Sequence, residues 1–492
     1  MKSAESGFEG LVEACEAKTS PLRRRLFLLS LCICNLSDAV EITCIGYILG
    51  YLDGIALIDK ELLGSSVIIG MLVGGVVLGQ LGDYLGRKTC LQASILTSAL
   101  AALASAFSPG VGALVAFRII GGLGIGGVVP ALYSLGAELF TKAKKNRMLT
   151  IIACCWILGS IYASLVGWII LGDDISGRRI SPGLNWRHYA IVCAIPSFLA
   201  WLSTFLLVES PLFLMQRGKV ESAAVSLSYL SHEEVSVEVV KTYGSQGTGE
   251  GVQTASNLRT FIQPPIRYPF ILLSLIWFSF SFTVFGVMTW ASTLFIQLGF
   301  TNPFAGACVI IFSTLPGKIV SIFLIDLTGR RSMLAWGMFF AGLSTLGFAI
   351  EVSNRALVLT CASLFGFFIS AGGNGLFAIT ADSYFPTQSR SSAVGFLAAF
   401  GRVGALSAQF VFGSMHSNIP ALLMISTFVT FFGAAMALIL PACNNEKQSD
   451  RQFDRQFITK EDAFSPMGHH DTIEMGDSDA TRRSAATLAV EY

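Results

Sequence analysis

The chain has 492 residues, of which 53% are hydrophobic and only 13% charged, with a mean hydropathy of +0.64. A water-soluble protein of this length needs more surface charge to stay dissolved, so a soluble enzyme or globular binding domain is excluded. The net charge of +1 gives no electrostatic footprint for nucleic acid.

The first twenty residues are polar and mildly acidic and lack the apolar stretch of a secretory signal, so insertion is expected to rely on the first membrane span. About 20 apolar residues cross a ~30 Å hydrocarbon core. On that criterion twelve spans are predicted. Six lie at 26–50, 62–82, 89–108, 111–138, 148–171 and 187–208, and six more at 269–298, 302–325, 332–350, 356–381, 391–415 and 418–440. Arg23, Arg24 and Arg25 precede the first span, and Arg87, Lys88, Lys142, Lys144, Lys145, Arg147, Arg330, Arg331 and Arg390 fall in the even-numbered connections. The excess of cations on that side predicts that both termini are cytosolic. The expected organisation is a cytosolic N-terminus (1–25), a six-helix bundle (26–208), a cytosolic linker (209–268), a second six-helix bundle (269–440) and a disordered cytosolic tail (441–492). Within the linker, Gly218 to Leu230 suits a short surface helix and Thr242 to Asn257 a flexible run. The tail is polar and lacks apolar periodicity.

The 49 glycines suit closely packed membrane helices. Most of the 11 cysteines sit in apolar runs (Cys32, Cys34, Cys44, Cys154, Cys155, Cys193, Cys308, Cys361), where a thiol acts as a small hydrophobe. No Cys-x-x-Cys occurs, so neither a disulfide nor a metal site is expected, and no cofactor. The pair His469 and His470 in the tail carries no function in this reading. Neither a nucleophile elbow nor a phosphate-binding loop is present, so enzymatic activity is not expected.

Two connections resemble each other. Asp83-Tyr-Leu-Gly-Arg-Lys88 follows the second span, and Asp326-Leu-Thr-Gly-Arg-Arg331 follows the eighth, almost half the chain later. Such an offset marks a duplicated six-helix unit. A glycine turn, surface cations and an aspartate able to meet a helix end suit a gate. Asp83, Arg87, Lys88, Asp326, Arg330 and Arg331 are therefore candidate gating residues, with Glu138, Lys145, Asp382 and Arg390 at the same inner ends.

These motifs resemble the major facilitator superfamily. Gly79-Gln-Leu-Gly-Asp-Tyr-Leu-Gly-Arg-Lys88 is similar to its signature between the second and third spans. Arg118-Ile-Ile-Gly-Gly-Leu-Gly-Ile-Gly-Gly127 is similar to its arginine-and-glycine motif, and Glu209-Ser-Pro-Leu-Phe-Leu214 to a box after the sixth span. Leu212 stands in that box where the family usually has arginine. Lys145 also replaces arginine, and Ser383 falls on the family's acidic position with Asp382 one place earlier. Asp38-Ala-Val-Glu41, Trp156-Ile-Leu-Gly-Ser-Ile-Tyr162, Trp186-Arg187, Cys193-Ala-Ile-Pro196 and Arg402-Val-Gly-Ala-Leu406 narrow the resemblance. They point to the branch of synaptic vesicle glycoprotein 2, the synaptic-vesicle-related protein and nicotinate-type permeases. The long glycosylated loop of the vesicle glycoprotein is absent. The resemblance covers roughly residues 25–440 and implies the major facilitator fold, an all-α membrane protein of twelve transmembrane helices in two pseudo-symmetric halves.

Charges inside spans are costly and default to function. Counted inward from predicted span ends, Asp38 and Arg118 both fall roughly 10 Å below the external face, so they can meet and are expected to pair in an outward-occluded state. Sugar porters place a proton-coupling pair at similar positions, and the resemblance implies that role here. Glu41, one turn further out, is read as vestibule lining or a local pair. Arg402 lies near the midplane with no acid in its own span, and is read either as an anion contact or as packed on helix carbonyls. Lys318 is expected to snorkel to the cytosolic surface. Tyr133, Trp156 and Asn374 are read as cavity wall, with simple packing as the alternative. The favoured function is a proton-coupled secondary transporter of a small organic ion, preferably a carboxylate, in the plasma membrane or a vesicle membrane. An organic cation, sugar or phosphate carrier and a non-transporting vesicle-protein-like member are the alternatives.

Overall fold

In the computed structural model, the described residues are 8–52, 54–140, 142–173, 178–231, 233–247, 267–382, 384–385 and 390–441. Among helical residues, the side chains of Asp83, Asp326, Asp382 and Arg390 lie outside this description, as does the whole of 441–492 beyond its first residue. Twelve described helices are long and apolar enough to cross a membrane.

The first half comprises α1 (Phe8–Lys18), α2 (Pro21–Tyr51), α3 (Leu57–Leu85), α4 (Arg87–Ala106), α5 (Val111–Leu139), α6 (Lys142–Leu171) and α7 (Trp186–Ser203). Three short helices follow: α8 (Pro211–Gln216), α9 (Val220–Ser231) and α10 (Val237–Gly247). The second half holds α11 (Arg267–Gln297), α12 (Pro303–Thr328), α13 (Arg330–Ile350), α14 (Arg355–Asp382), α15 (Arg390–Met415) and α16 (Ile419–Ile439).

Local chemistry starts these helices. The Ser20 hydroxyl accepts the Arg23 amide ahead of Pro21, Asn302 accepts the Ala305 amide ahead of Pro303, and Asn418 accepts the Ala421 amide ahead of Pro420. An N-cap acceptor followed by proline satisfies one orphan amide and presets the next φ. The two repeated motifs fold alike. Gly86 (φ 113°) ends α3 and opens α4, and Gly329 (φ 77°) ends α12 and opens α13. Only glycine takes such a φ without strain.

Helix pairing repeats as well. In the first half α2 packs on α6 and α7, α5 on α3 and α4, and α4 on α7. In the second, α11 packs on α15 and α16, α14 on α12 and α13, and α13 on α16. These are the same five pairings in the same chain order. The seam of α3 and α5 is made by glycines, where a Cβ on Gly74 or Gly122 would run into the facing backbone.

The halves meet along α2–α11, α3–α15 and α6–α12. Their contacts cluster toward the end of the helices that carries Tyr51, here the Tyr51 end. Gly46 abuts the Thr289 backbone, Gly50 meets Ser292, Gly64 meets Gln409, and Gly413 meets Glu61. Tyr47 stacks on Phe304 with centroids 6.0 Å apart, and the Asn302 amide donates to the Asp173 carbonyl. The opposite end, which carries both glycine turns, is the Gly86 end.

The flanking segments add a helix and change one expectation. In the N-terminus, α1 buries Phe8, Val12 and Cys15 against Phe213, Leu214 and Leu227. Three apolar residues among charges at helical spacing supply that face. The run expected to be flexible from Thr242 begins as helix, because Val240 is fully buried and anchors α10. The rest of that run, to Asn257, lies outside the described residues, as do the tail and His469 and His470.

Candidate functional site

α2 brings two carboxylates into the centre of the first half. Asp38 and Glu41 are 4% and 3% exposed. Three residues apart, they lie one above the other on the helix, yet each meets different neighbours.

Glu41 is paired. Arg118 of α5 donates to its Oε2 at 2.9 Å, the Ser197 hydroxyl of α7 donates to Oε1 at 3.3 Å, and Arg118 also reaches the Cys44 sulfur at 3.6 Å. Arg118 is itself 3% exposed. The recess beside the pair, between Val67, Phe117 and Ile125, has no room for a solute. In this conformation Arg118 pairs with Glu41 and not with Asp38, whereas the Asp38–Arg118 pair is expected of an outward-occluded state. α2 is 31 residues long and starts at Pro21, so it exceeds the bilayer at the Gly86 end and depth counted from there is misleading. Counted from Tyr51, Glu41 is ~15 Å deep and Asp38 ~20 Å, against ~10 Å for Arg118. Glu41 is the nearer match.

Asp38 instead faces the boundary between halves. Its Oδ1 is buried without a hydrogen-bond partner. Trp156 of α6 aims its indole N–H at the carboxylate, and Tyr133 of α5 lies within its electrostatic range. The opposite charge acting on it is Arg402 of α15, in the other half. Arg402 and Asp38 each lie about thirteen residues, or ~20 Å, from the Tyr51 ends of their helices. The guanidinium lies so close to α3 that a Cβ on Gly75 would collide with its Nη1. Arg402 thus crosses the boundary, with an acid from the first half facing it. Its own helix holds no acid, as the sequence reads, and the acid that faces it comes from α2.

Asn374 is not brought to this cluster. Its amide donates to the Lys318 carbonyl at 3.4 Å and to the Ser321 hydroxyl, tying α14 to α12. Lys318 meets α14 and acts across the boundary on α6. It is half-buried, its amine stands 5.9 Å over the Phe377 ring, and it acts electrostatically on the Cys154 thiol of α6 across the boundary.

The candidate gating residues sit at the Gly86 end, and the contacts described here stay within one half. Arg87 Nε is 3.6 Å from Glu138 Oε1, and its Nη1 donates to the Gly82 carbonyl at 3.0 Å. Arg330 donates to the Ala378 carbonyl at 3.5 Å. Arg331 donates to Ala437 at 3.2 Å and to Leu438, at the carbonyl end of α16 where a cation complements the helix dipole. Lys145 is half-buried on the first turn of α6.

Glu209 was not singled out in the sequence, though it opens a quoted box. Its carboxylate accepts the Lys88 amide at 2.9 Å and the Thr89 amide at 3.3 Å, capping α4 at the Gly86 turn. The signal available was its place in Glu-Ser-Pro. Glu209→Ala leaves both amides unsatisfied and is expected to lower stability by ~1–2 kcal/mol, read as a drop of a few degrees in the melting temperature of the purified protein. An unchanged melting temperature would remove the cap from the account. Gly75 and the Gln409–Trp290 bond (2.9 Å) at the Tyr51-end contact were also missed, for want of any local sequence signal.

The model of the family described as sugar (and other) transporter matches residues 56–447. The chain belongs to this family. The niacin transporter NiaP of Acinetobacter baylyi is 27% identical over 377 residues, covering 76% of this chain and 82% of that protein. Human synaptic vesicle glycoprotein 2B is 28% identical over 310 residues, 54% of this chain but only 44% of that protein. The xylose transporter XylE from E. coli, in a partially occluded inward-open conformation, superposes with a TM-score of 0.67 at 18% identity, over 85% of this chain and 99% of that one. A further structure of it is titled as a major facilitator superfamily proton:xylose symporter. This transporter is therefore an integral, multi-pass membrane protein with the major facilitator fold, and NiaP and XylE are transporters, not enzymes.

Proposed function

We propose that this transporter is a proton-coupled carrier of a small organic anion, working by alternating access between the halves. The Gly86 end is read as cytosolic, from the excess of Lys and Arg in its connections. Both termini and the segment joining the halves then face the cytosol. Contact at the Tyr51 end corresponds to a carrier closed outside and open inward.

The observation that carries the reading is the Arg402 guanidinium, which reaches from α15 to Gly75 and acts on Asp38. A guanidinium at mid-depth costs ~2.5–3.5 kcal/mol on insertion scales, so a polar partner must face it. Asp38 is that partner when the site is empty, and its bare Oδ1 leaves the carboxylate only partly satisfied. A solute carboxylate arriving at Arg402 competes with Asp38, and a proton on Asp38 removes the competition. Binding of anion and proton thereby favour each other, which is the coupling a symporter requires. The niacin transporter among the relatives supports an aromatic carboxylate as the solute class.

The test is uptake by the purified carrier in proteoliposomes. Acidifying the outside is expected to drive accumulation of an aromatic monocarboxylate, abolished by a protonophore. Accumulation of only organic cations or only sugars, at any pH, would sink the proposal.

A further inference from the structure

We propose that the solute carries two anionic groups, one held by Arg402 and the second by Lys318, so that a small dicarboxylate is the preferred class. This rests on reading the site as an anion site.

Among the described residues, five charged side chains lie about two turns or more from either end of their helices: Asp38, Glu41, Arg118, Lys318 and Arg402. Glu41 and Arg118 cancel each other in a packed pair. Asp38 acts on Arg402 and not on Lys318. Among the described residues, the Cys154 thiol is the titratable group that acts on Lys318, and no carboxylate pairs with it. Holding that ammonium in the membrane without a partner is costly, so a ligand of opposite charge is the natural complement.

The position of Lys318 is built, not incidental. Gly317 is pressed against the Phe367 backbone of α14, and Asn374 binds the Lys318 carbonyl and Ser321. With α12 pinned to α14 on that side, the next residue turns ~100° away, toward α6 and the boundary between halves. The amine rests over Phe377, which also limits where it can go.

Lys318 and Arg402 flank the boundary on separate helices. α12 and α15 both pack on α11, so their axes are at most two interhelical spacings, roughly 16–20 Å, apart. Two long side chains reaching toward each other across at most that separation can be bridged by one small dicarboxylate. A monoanion can satisfy one cation only. A dianion satisfies both, and with a proton on Asp38 the loaded site is neutral. Each cycle then moves two negative charges and one proton, so transport carries current, whereas a monoanion with one proton does not.

The experiment uses the full chain in proteoliposomes with two solutes that share a ring: benzoate and benzene-1,3-dicarboxylate. The dicarboxylate is expected to half-saturate at about tenfold lower concentration, the effect of one added charge-assisted contact. Its flux is expected to respond to an imposed membrane potential while benzoate flux does not. Lys318→Gln is expected to bring the two solutes within about threefold, and Lys318→Arg to keep them apart. Where Lys318→Gln yields no folded protein, the parent's own ratio and voltage response decide. Equal half-saturation by both solutes in the parent, or a ratio untouched by Lys318→Gln, overturns the second site and leaves the anion reading intact. Uptake of neither anion alongside uptake of tetraethylammonium overturns the anion reading itself.

Discussion

Glu41→Leu is expected to be the most damaging single change in the membrane core, lowering stability by ~3–5 kcal/mol, with Arg118→Met milder. Both break the same 2.9 Å pair, but they leave different residues behind. A stranded carboxylate can take up a proton and become neutral. A stranded guanidinium cannot shed its charge at any accessible pH. Because the surroundings are packed, with no room for water beside the pair, the orphaned Arg118 keeps only the weak Cys44 sulfur contact. The double variant Glu41→Leu/Arg118→Met removes both charges and is expected to melt well above Glu41→Leu alone, since a buried ion pair can be exchanged for apolar contact at little net cost. Thermal unfolding of the four proteins in detergent gives the coupling directly. If the single variants melt with the parent, the pair is not the clamp between α2, α5 and α7 described here.

The role of this pair was not legible in the sequence, although both members were. The spans were legible because apolar length is a direct physical requirement of the bilayer, and twelve helices satisfy it. The duplication was legible because a glycine turn of positive φ leaves a trace in the letters, and Gly86 and Gly329 take that conformation. Depth was not. Asp38 and Glu41 differ by only ~4.5 Å along α2, and an error of five residues at a helix end shifts depth by ~7.5 Å. The true start at Pro21, five residues before the predicted 26, is an error of that size. Which carboxylate meets Arg118 is also decided by azimuth, set by how α2 packs on α5 and α7, and no local pattern encodes it. The same applies to Gly75. A glycine among many glycines in α3 gives no sign that a guanidinium from the other half will lie against it.

Arg402→Lys is expected to weaken binding of an anionic solute about tenfold to a hundredfold, far more than the retained charge suggests. A guanidinium offers a rigid fork that can hold a carboxylate through two parallel bonds, and an ammonium cannot reproduce that geometry. Losing one charge-assisted bond is worth ~1.5–3 kcal/mol, which sets the range. Lysine is also shorter, so it cannot lie against Gly75 and act on Asp38 from the same backbone position. Arg402→Gln goes further: it removes the solute's partner and leaves Asp38 without the cation opposite it, so both uptake and exchange of the anion are expected to fall below detection. Asp38→Asn separates the two functions of the site. With no carboxylate to protonate, acid-driven accumulation is expected to vanish, while exchange of labelled for unlabelled anion continues, because Arg402 is still present and no longer shared. Binding of the preferred carboxylate, counterflow and acid-driven uptake, measured on the parent and these three variants, distinguish the steps. Equal anion affinity in the parent, Arg402→Lys and Arg402→Gln would assign Arg402 to packing against α3 and turn the site over to an organic cation facing Asp38. Loss of counterflow in Asp38→Asn, with folded protein present, would place Asp38 on the solute and move proton coupling to another group.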